Sequence, residues 1–278
     1  SKAQDNLYIA YNNIDEYLKD LKNALTKEHK RYGEVGVLKD GKRIQINTSI
    51  IQIENEYYSS IRPKRVTPPG ERPINILRNE GIDYVEIRAL DNNSFLPSGI
   101  DEDTSYFLEA YLIGCFFGED KKSTQNEIKE LLVNWGNVVK EGRNPNLKLL
   151  KDKEKLTIKD SGMQVIDYLR NIFDQMPPEM SDYAEKVMKS LDKQEEKLND
   201  ASLTPSGLIV DQLKNSNKTW EELNLELAEE HSNSLKGLKK DLNYLSEEAK
   251  SSLEKFKKLE NHQEEEFEVY LDKFVNDI

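Results

Sequence analysis

The sequence predicts an α+β fold, in which short strands are confined to one early region of an otherwise helical chain. Between residues 43 and 91, polar and apolar residues alternate with a period of two, which is typical of strands with one exposed face. Elsewhere, apolar residues recur three and four positions apart among many lysines and glutamates, which predicts amphipathic helices. We therefore expect a sheet-containing part with flanking helices at residues 1–120, and a helical C-terminal region at 121–278 packed on it.

The length, net charge and apolar segments of the chain exclude several classes of protein. The chain has 278 residues, enough to bury one large core or two smaller ones. Its formal net charge of −12 argues against a broad nucleic-acid surface, which would need clustered positive charge. The longest apolar run, at residues 106–117, is too short to span a bilayer, and the N-terminus lacks the pattern of a secretory signal. We expect a cytoplasmic protein without nucleic-acid or membrane partners.

The first elements follow from local patterns. Apolar residues three and four apart predict a helical lead-in at residues 5–32. Residues 39–42 give a tight turn signal, and a strand begins near Arg43. The adjacent Ile50 and Ile51 break its alternation, so we expect a bulge there.

Two polar strand faces follow the bulge. A regular strand would place Gln52, Glu54, Glu56 and Tyr58 on one face. A second strand at residues 84–90 would expose Tyr84, Glu86 and Arg88, and would turn Val85, Ile87 and Ala89 to the core. Between the two strands, three prolines make residues 66–73 a loop that could act as a lid.

The remaining sequence predicts helices. The helix expected to start at Asp101 and Glu102 is strongly apolar, so we expect it to pack under the sheet and to bury Cys115 as an inert thiol. Cys115 is the only cysteine, so no disulfide can form within the chain, as suits a reducing compartment. Capping-box spacing predicts helix starts at Thr124 and Thr219. The apolar positions at 235–259 fit either a coiled-coil seam or an amphipathic helix on a globular core, and we favour the helix.

Glu86 and Arg88 carry two interpretations. They could form an exposed ion pair, which would contribute little stability. They could instead combine a carboxylate that binds a hard cation with a guanidinium that holds a phosphoryl oxygen. The spacing suits both roles, so the residues alone leave the choice open.

A second group of polar residues surrounds the strand predicted before the loop. Tyr58 shares a face with Glu54 and is the better pocket candidate of the two adjacent tyrosines. Arg62, Lys64 and Arg65 form a short basic cluster, which could be a solvated charge run or could steer a nucleotide. No glycine-rich phosphate loop is present in the sequence, so such a nucleotide would not bind a P-loop or a Rossmann turn.

The region with these motifs resembles the C-terminal half of the bacterial glutamate–cysteine ligases (γ-glutamylcysteine synthetases). The resemblance covers nearly the whole chain and becomes loose beyond about residue 150. The segments that carry it are QIENE-x-Y at 52–58, IRPKR at 61–65, Y-[IV]-E-[VI]-R-x-LD at 84–91, VNWGNVVKEGRNPNL at 133–147 and, more weakly, SLTPS at 202–206.

The resemblance implies a curved, mostly antiparallel sheet of the glutamine-synthetase-like ligase type. It implies that ATP phosphorylates the γ-carboxylate of glutamate and that the amine of cysteine then displaces phosphate, with Mg²⁺ or Mn²⁺ as cofactor. Glu86 matches a metal-ligating glutamate of the family, and Arg88 matches the arginine that contacts the transferred phosphoryl group. Tyr58 matches a tyrosine that lines the cysteine pocket.

Other residues of the same motifs receive weaker assignments. Glu54 is a second candidate metal ligand. Asn55, Arg62, Lys64 and Arg65 are candidates for nucleotide binding.

Members of that family are about twice as long as this chain. We therefore predict that the chain is one half of an enzyme, inactive alone, with its own N-terminal half as partner and monomeric when complete. Two alternatives stay open. One is a non-catalytic, acidic, helical interaction module, and the other is a related ATP-dependent carboxylate–amine ligase with another amine acceptor.

Overall fold

The computed structural model of the protein describes residues 2–4, 7–151, 153–236, 242–261 and 265–278. In chain order the elements are α1 (Ile14–Thr26), α2 (Lys30–Val35), β1 (Leu38–Lys39), β2 (Lys42–Arg43), β3 (Ile61–Lys64), α3 (Pro73–Glu80), β4 (Tyr84–Ile87), α4 (Glu102–Phe117), α5 (Gln125–Glu141), β5 (Lys148–Lys151), β6 (Glu154–Thr157), α6 (Ile158–Phe173), α7 (Ser181–Asn199), α8 (Pro205–Asn215), α9 (Trp220–Lys236), α10 (Leu242–Glu260) and α11 (Phe267–Asn276).

The described strands form three antiparallel pairs, β1–β2, β3–β4 and β5–β6, among a majority of helical residues. The predicted α+β class is therefore confirmed. The chain folds as two compact units, which we call the first unit (Ser1–Leu90 with Lys240–Ile278) and the second unit (Asp91–Lys239). The boundary at residue 120 was inferred from composition and stays a prediction. None of the described helices is both long enough and apolar enough to cross a membrane.

The core of the first unit forms where the apolar face of α1 meets α3. Leu18, Leu21 and Leu25 on α1 are buried against Ile74 and Leu77. This confirms the helical lead-in for Ile14–Thr26, since the spacing of three and four does place these leucines on one face. Residues 7–13, which the prediction included, are not helical. Asn13 caps the start of α1 by accepting the backbone N–H of Glu16.

The turn predicted at residues 39–42 is a two-residue hairpin between β1 and β2. Asp40 and Gly41 both have positive φ, 52° and 75°. A two-residue hairpin of type I′ requires this conformation, and the Asp–Gly pair favours it.

The long strand predicted beyond Arg43 is wrong. The segment 44–53 is irregular, and Glu54–Glu56 form a short 3₁₀ turn. Among the described residues, the only β-bridge of this segment is an isolated one between Ser49 and Glu28, and polar side chains bind part of its remaining backbone. The backbone N–H of Ile46 donates to Gln52 Oε1 at 2.8 Å, and that of Gln52 donates to Glu56 Oε2 at 2.8 Å. The expected bulge and the shared polar face of residues 52–58 are therefore absent from this segment.

The strand predicted at 84–90 exists as β4 but is not buried. Val85 is 45% exposed and Ala89 is also exposed, against the expectation that both face a core. Within the part of the chain that the structure describes, β4 pairs only with β3, and no residue of either strand belongs to the hydrophobic core of the first unit.

The second unit is a helical cluster built around α4, α6 and α7. Its buried core consists of Ala110, Ile166, Leu169, Phe173, Val187 and Leu191. The sequence predicted that α4 packs under the sheet. This prediction is wrong, because α4 packs on helices. Cys115 is exposed, so its predicted burial is wrong. Helix α4 carries apolar residues all around its circumference, and among the described residues the neighbouring helices cover only one of its sides.

The helix starts of the second unit follow the sequence closely. Asp101 accepts the backbone N–H of Thr104 at 2.7 Å. Thr124 and Glu127 form the predicted capping box. Thr219 and Glu222 exchange the same pair of hydrogen bonds, at 2.8 and 3.2 Å.

Helix α10 does not pack its apolar face on a core. The exposed apolar residues on its described part are Tyr244, Leu245, Leu253, Phe256 and Leu259. The preferred interpretation, an amphipathic helix covering a globular core, is therefore wrong for these residues. Leu238, which belongs to the same pattern, lies outside the described residues.

Candidate active site

The ribbon β3–β4 carries the predicted site residues. Its register places Arg62 opposite Glu86 and Lys64 opposite Tyr84. Directly opposed residues on an antiparallel pair share one face, so the basic residues of β3 lie on the same side as Glu86. Arg88 extends the ladder by one residue, because its backbone N–H donates to Ser60 O at 2.7 Å.

Glu86 and Arg88 point toward each other, as their spacing predicted. Arg88 Nη2 donates to Glu86 Oε1 at 3.0 Å, and the two side chains are 35% and 31% exposed. Lys64 Nζ lies 4.0 Å from Glu86 Oε2. The hydrogen bond from Arg88, followed by the charges of Arg88, Lys64 and Arg62, holds the pKa of Glu86 below its usual range. Reciprocally, the hydrogen bond to Glu86 raises the pKa of Arg88.

One oxygen of this pair lacks a hydrogen-bond partner among the described residues. Glu86 Oε2 is shielded from solvent and accepts no hydrogen bond from the described residues. A buried carboxylate oxygen without a donor is unfavourable and is what a metal ligand looks like in the absence of its ion. Among the described residues, however, no cluster of three or more His, Cys, Asp or Glu side chains could hold a metal ion. Glu86 thus fits a metal as a single ligand that needs others.

Tyr58 stands beside the pair. Its ring is 70% exposed, and the ring centre lies 5.7 Å from Arg88 Cζ and 5.8 Å from Arg62 Cζ. Tyr58 also lines a cavity of about 430 Å³, whose other walls are Gln4, Tyr32, Ile50, Gln52 and Glu56. The structure therefore brings the tyrosine, the carboxylate and the guanidinium to one place.

The basic cluster of β3 does not act as one group. Arg62 is buried, with an exposed fraction of 6%. Lys64 approaches Glu86, whereas Arg65 turns away and donates to Glu80 at 2.9 Å. Of the three, Lys64 keeps a geometry from which it could reach an anion near Glu86.

Glu54 is committed elsewhere. Both of its oxygens accept hydrogen bonds from Arg72, each at 2.9 Å, and both side chains are buried. Because the charge of Glu54 is already paired with a buried guanidinium, the geometry gives no support to the metal role predicted for it. Asn55 lies exposed on the same 3₁₀ turn.

Arg72 is the residue that sequence reasoning missed. Its Nη1 donates to the backbone oxygen of Phe274 at 2.8 Å, and its Cζ lies 4.4 Å from the Phe274 ring centre. Arg72 thus joins the turn that precedes Tyr58 to helix α11, about two hundred residues further along the chain. Its position in a proline-rich loop gave no signal of burial.

A larger cavity of about 1120 Å³ lies in the second unit, and none of the predicted site residues lines it. Its walls include Gly142–Pro145 of the block at 133–147 and Ser202 and Thr204 of the block at 202–206. We take the smaller cavity as the candidate site, because Tyr58 on its wall contacts Arg88 of the perturbed Glu86–Arg88 pair.

Comparison with known proteins finds similarity to glutamate–cysteine ligases. The sequence model described as glutamate–cysteine ligase matches residues 1–138. The glutamate–cysteine ligase of Pseudomonas putida KT2440 is 38% identical over 239 residues, covering 85% of this chain and 45% of that protein. The corresponding enzyme of Pseudomonas fluorescens Pf-5 is 39% identical and covers 84% of this chain and 43% of that protein. The chain thus spans less than half the length of these curated relatives.

Two solved structures resemble the chain. The 2.0 Å crystal structure of glutamate–cysteine ligase from Francisella tularensis in complex with AMP matches with a TM-score of 0.88 and 33% identity, over 99% of this chain and 55% of that one. A bifunctional glutathione synthetase from Pasteurella multocida matches with a TM-score of 0.55 and 16% identity, over 82% of this chain and 25% of that one, which shows a shared fold alone.

Proposed function

The chain is related to the C-terminal half of the glutamate–cysteine ligases, and from that premise we propose that it forms part of such an enzyme. The reaction is the ATP-dependent ligation of the glutamate γ-carboxylate to the cysteine amine through a γ-glutamyl phosphate. The observation that carries the proposal is that Tyr58 contacts Arg88 and Arg88 bonds Glu86, with Tyr58 on the wall of the smaller cavity. These are the three residues that the family motifs single out.

The charge states of the pair suit phosphoryl transfer. A lowered pKa keeps Glu86 ionised at neutral pH, and a raised pKa keeps Arg88 protonated. The planar guanidinium of Arg88 can hold two phosphoryl oxygens at once and offset the charge that develops on them. Tyr58 presents its ring to the cavity and can form a wall for the amino-acid acceptor.

The proposal also assigns a nucleotide and a metal ion to the site. The Francisella relative is described in complex with AMP, which supports nucleotide binding by the enzyme proposed here. When bound, Mg²⁺ or Mn²⁺ would neutralise phosphate charge, and Glu86 would be one of its ligands. The remaining ligands and much of the substrate pocket would come from the N-terminal half, so the chain alone is inactive. We assign the complete enzyme to the cytoplasm as a monomer.

The test is substitution in the complete enzyme. Arg88→Ala and Glu86→Ala should each lower kcat by about 100-fold or more, because Arg88 would contact the transferred phosphoryl group and Glu86 would hold a metal ion that neutralises its charge. Arg78→Ala is the matched control, since Arg78 lies on α3 and bonds Asn75. ATP-dependent formation of γ-glutamylcysteine is the measurement. Unchanged kcat in both site variants would remove the proposal.

Two related functions are separated by further assays. A ligase with another amine acceptor would prefer a different amino acid when acceptors compete with cysteine in the same reaction. An interaction module is favoured by the exposed apolar face of α10, where Phe256 is 55% exposed. It would form an oligomer indifferent to nucleotide and to the Arg88→Ala change.

A further inference from the structure

Arg62 has an environment unlike that of a ligand-binding arginine. Its side chain is 6% exposed, and its Nε and Nη2 are shielded from solvent without a hydrogen-bond partner among the described residues. A guanidinium carries five N–H donors and usually satisfies them with oxygen acceptors when buried. These two donors are enclosed by protein atoms, so a nucleotide phosphate would reach them only if neighbouring side chains moved.

The guanidinium lies between two consecutive tyrosine rings. Arg62 Cζ is 5.9 Å from the ring centre of Tyr57 and 5.8 Å from that of Tyr58. Arginine is weakly hydrated and planar, so the electron-rich faces of two rings can compensate for the missing acceptors. The two rings differ, however, in how firmly the rest of the protein holds them, and this difference determines which ring Arg62 can position.

Tyr57 is the fixed ring. Its hydroxyl lies 3.2 Å from the hydroxyl of Tyr11, which itself donates to Ile61 O at 3.0 Å. Tyr58 is 70% exposed, and its ring contacts among the described residues are the guanidiniums of Arg62 and Arg88. The position of the Tyr58 ring therefore depends on these two contacts.

We propose that Arg62 is a positioning residue, which holds the Tyr58 ring against Arg88 and so shapes the acceptor pocket. This inference rests on the proposed function for the role of Tyr58, and it replaces the nucleotide role expected for Arg62. Arg88 is held from its other side by Glu86, at 3.0 Å. Arg62 thus links the pocket wall to the phosphoryl-binding pair.

The proposed geometry can be tested on this chain without an activity assay. In a ¹⁵N-labelled sample the Nε–H of Arg62 should exchange with water far more slowly than that of an exposed arginine such as Arg78, and Tyr58→Leu should shift its resonance. Tyr58 is exposed, so that variant should fold. Rapid exchange, or no shift in the variant, would overturn the proposal.

The role is tested in the complete enzyme with Arg62→Lys, which keeps the charge and loses the planar face. The KM for cysteine should rise roughly 3- to 30-fold, the range of one cation–π contact, while the KM for ATP stays unchanged. Arg78→Lys is the control. A rise in the KM for ATP instead would return Arg62 to nucleotide binding. Absence of ligase activity in the unmodified enzyme would defeat the proposed function but leave the exchange result standing.

Discussion

The Arg72–Glu54 pair is the most deeply buried charge pair among the described residues, with side-chain exposures of 1% and 6%. Two parallel N–H···O bonds give it the geometry in which guanidinium and carboxylate bind most strongly. Removing one partner of such a pair leaves the other charge buried and uncompensated. By contrast, the Arg65–Glu80 pair is solvent-accessible, and exposed pairs contribute little.

This difference gives the prediction at the residue scale. Arg72→Met should lower the free energy of unfolding by about 3–5 kcal/mol, the usual loss when a buried pair is broken. Arg65→Met should lower it by less than about 1 kcal/mol. Urea unfolding followed by circular dichroism measures both. Equal losses in the two variants would show that Arg72 is not buried as described.

Residue-level prediction succeeded where contacts are local in sequence. Glu86 and Arg88 lie two apart, so strand periodicity was enough to place them together. Glu54 and Arg72 are eighteen apart, and Arg72 meets Phe274 from the far end of the chain. No periodicity connects such distant residues. The sequence could therefore identify Glu54 as a polar site candidate but could not identify Arg72 as its partner.

At the scale of elements, helix starts were predictable because a cap is made by residues three apart. Asp101, Thr124 and Thr219 all cap the helices that the sequence assigned to them. Strands were harder, since a strand exists only when another segment pairs with it. Polar and apolar residues do alternate at 44–51, but side chains such as Gln52 bond to backbone groups that a neighbouring strand would otherwise have bound.

The Asp101 cap predicts a pH dependence. Hydrogen bonds from Thr104 lower the pKa of Asp101. A carboxyl group whose pKa is lowered on folding stabilises the protein above its usual pKa of about 4, and this contribution is lost as the pH falls through the lowered value.

Two variants separate the cap from the charge. Asp101→Ala should cost about 1 kcal/mol at neutral pH, because α4 loses its N-cap. Asp101→Asn keeps a capping oxygen, so it should retain most of the stability while losing this group's share of the acid sensitivity. Thermal unfolding at pH 7 and pH 3.5 measures both effects. An alanine variant as stable as the parent at pH 7 would contradict the assigned cap.

At the scale of the molecule, the end of the chain belongs to the first unit. Arg43 donates to both oxygens of Glu268, and Asn75 donates to Asp277 Oδ2 at 2.9 Å. With the Arg72 contact to Phe274, these bonds attach α11 to the unit that carries the candidate site. Composition could not reveal this, because α11 lies in the acidic helical region and looks like its neighbours.

Removal of residues 265–278 should therefore destabilise the first unit selectively. The deletion exposes Arg72 and Glu54 and removes Leu271, which is 3% exposed. Hydrogen exchange followed by mass spectrometry should show lost protection in α1 and α3, with α6 and α7 unchanged. Unchanged protection in α1 and α3 would mean that α11 is dispensable for the first unit.

In the proposed function, this chain supplies one part of a ligase site and an N-terminal half supplies the rest. The direct measurement is ATP-dependent formation of γ-glutamylcysteine by the chain alone and by the chain supplied with that half. We predict no product above background in the first case and sustained product in the second. Full activity of the chain alone, or no activity in either case, would contradict it.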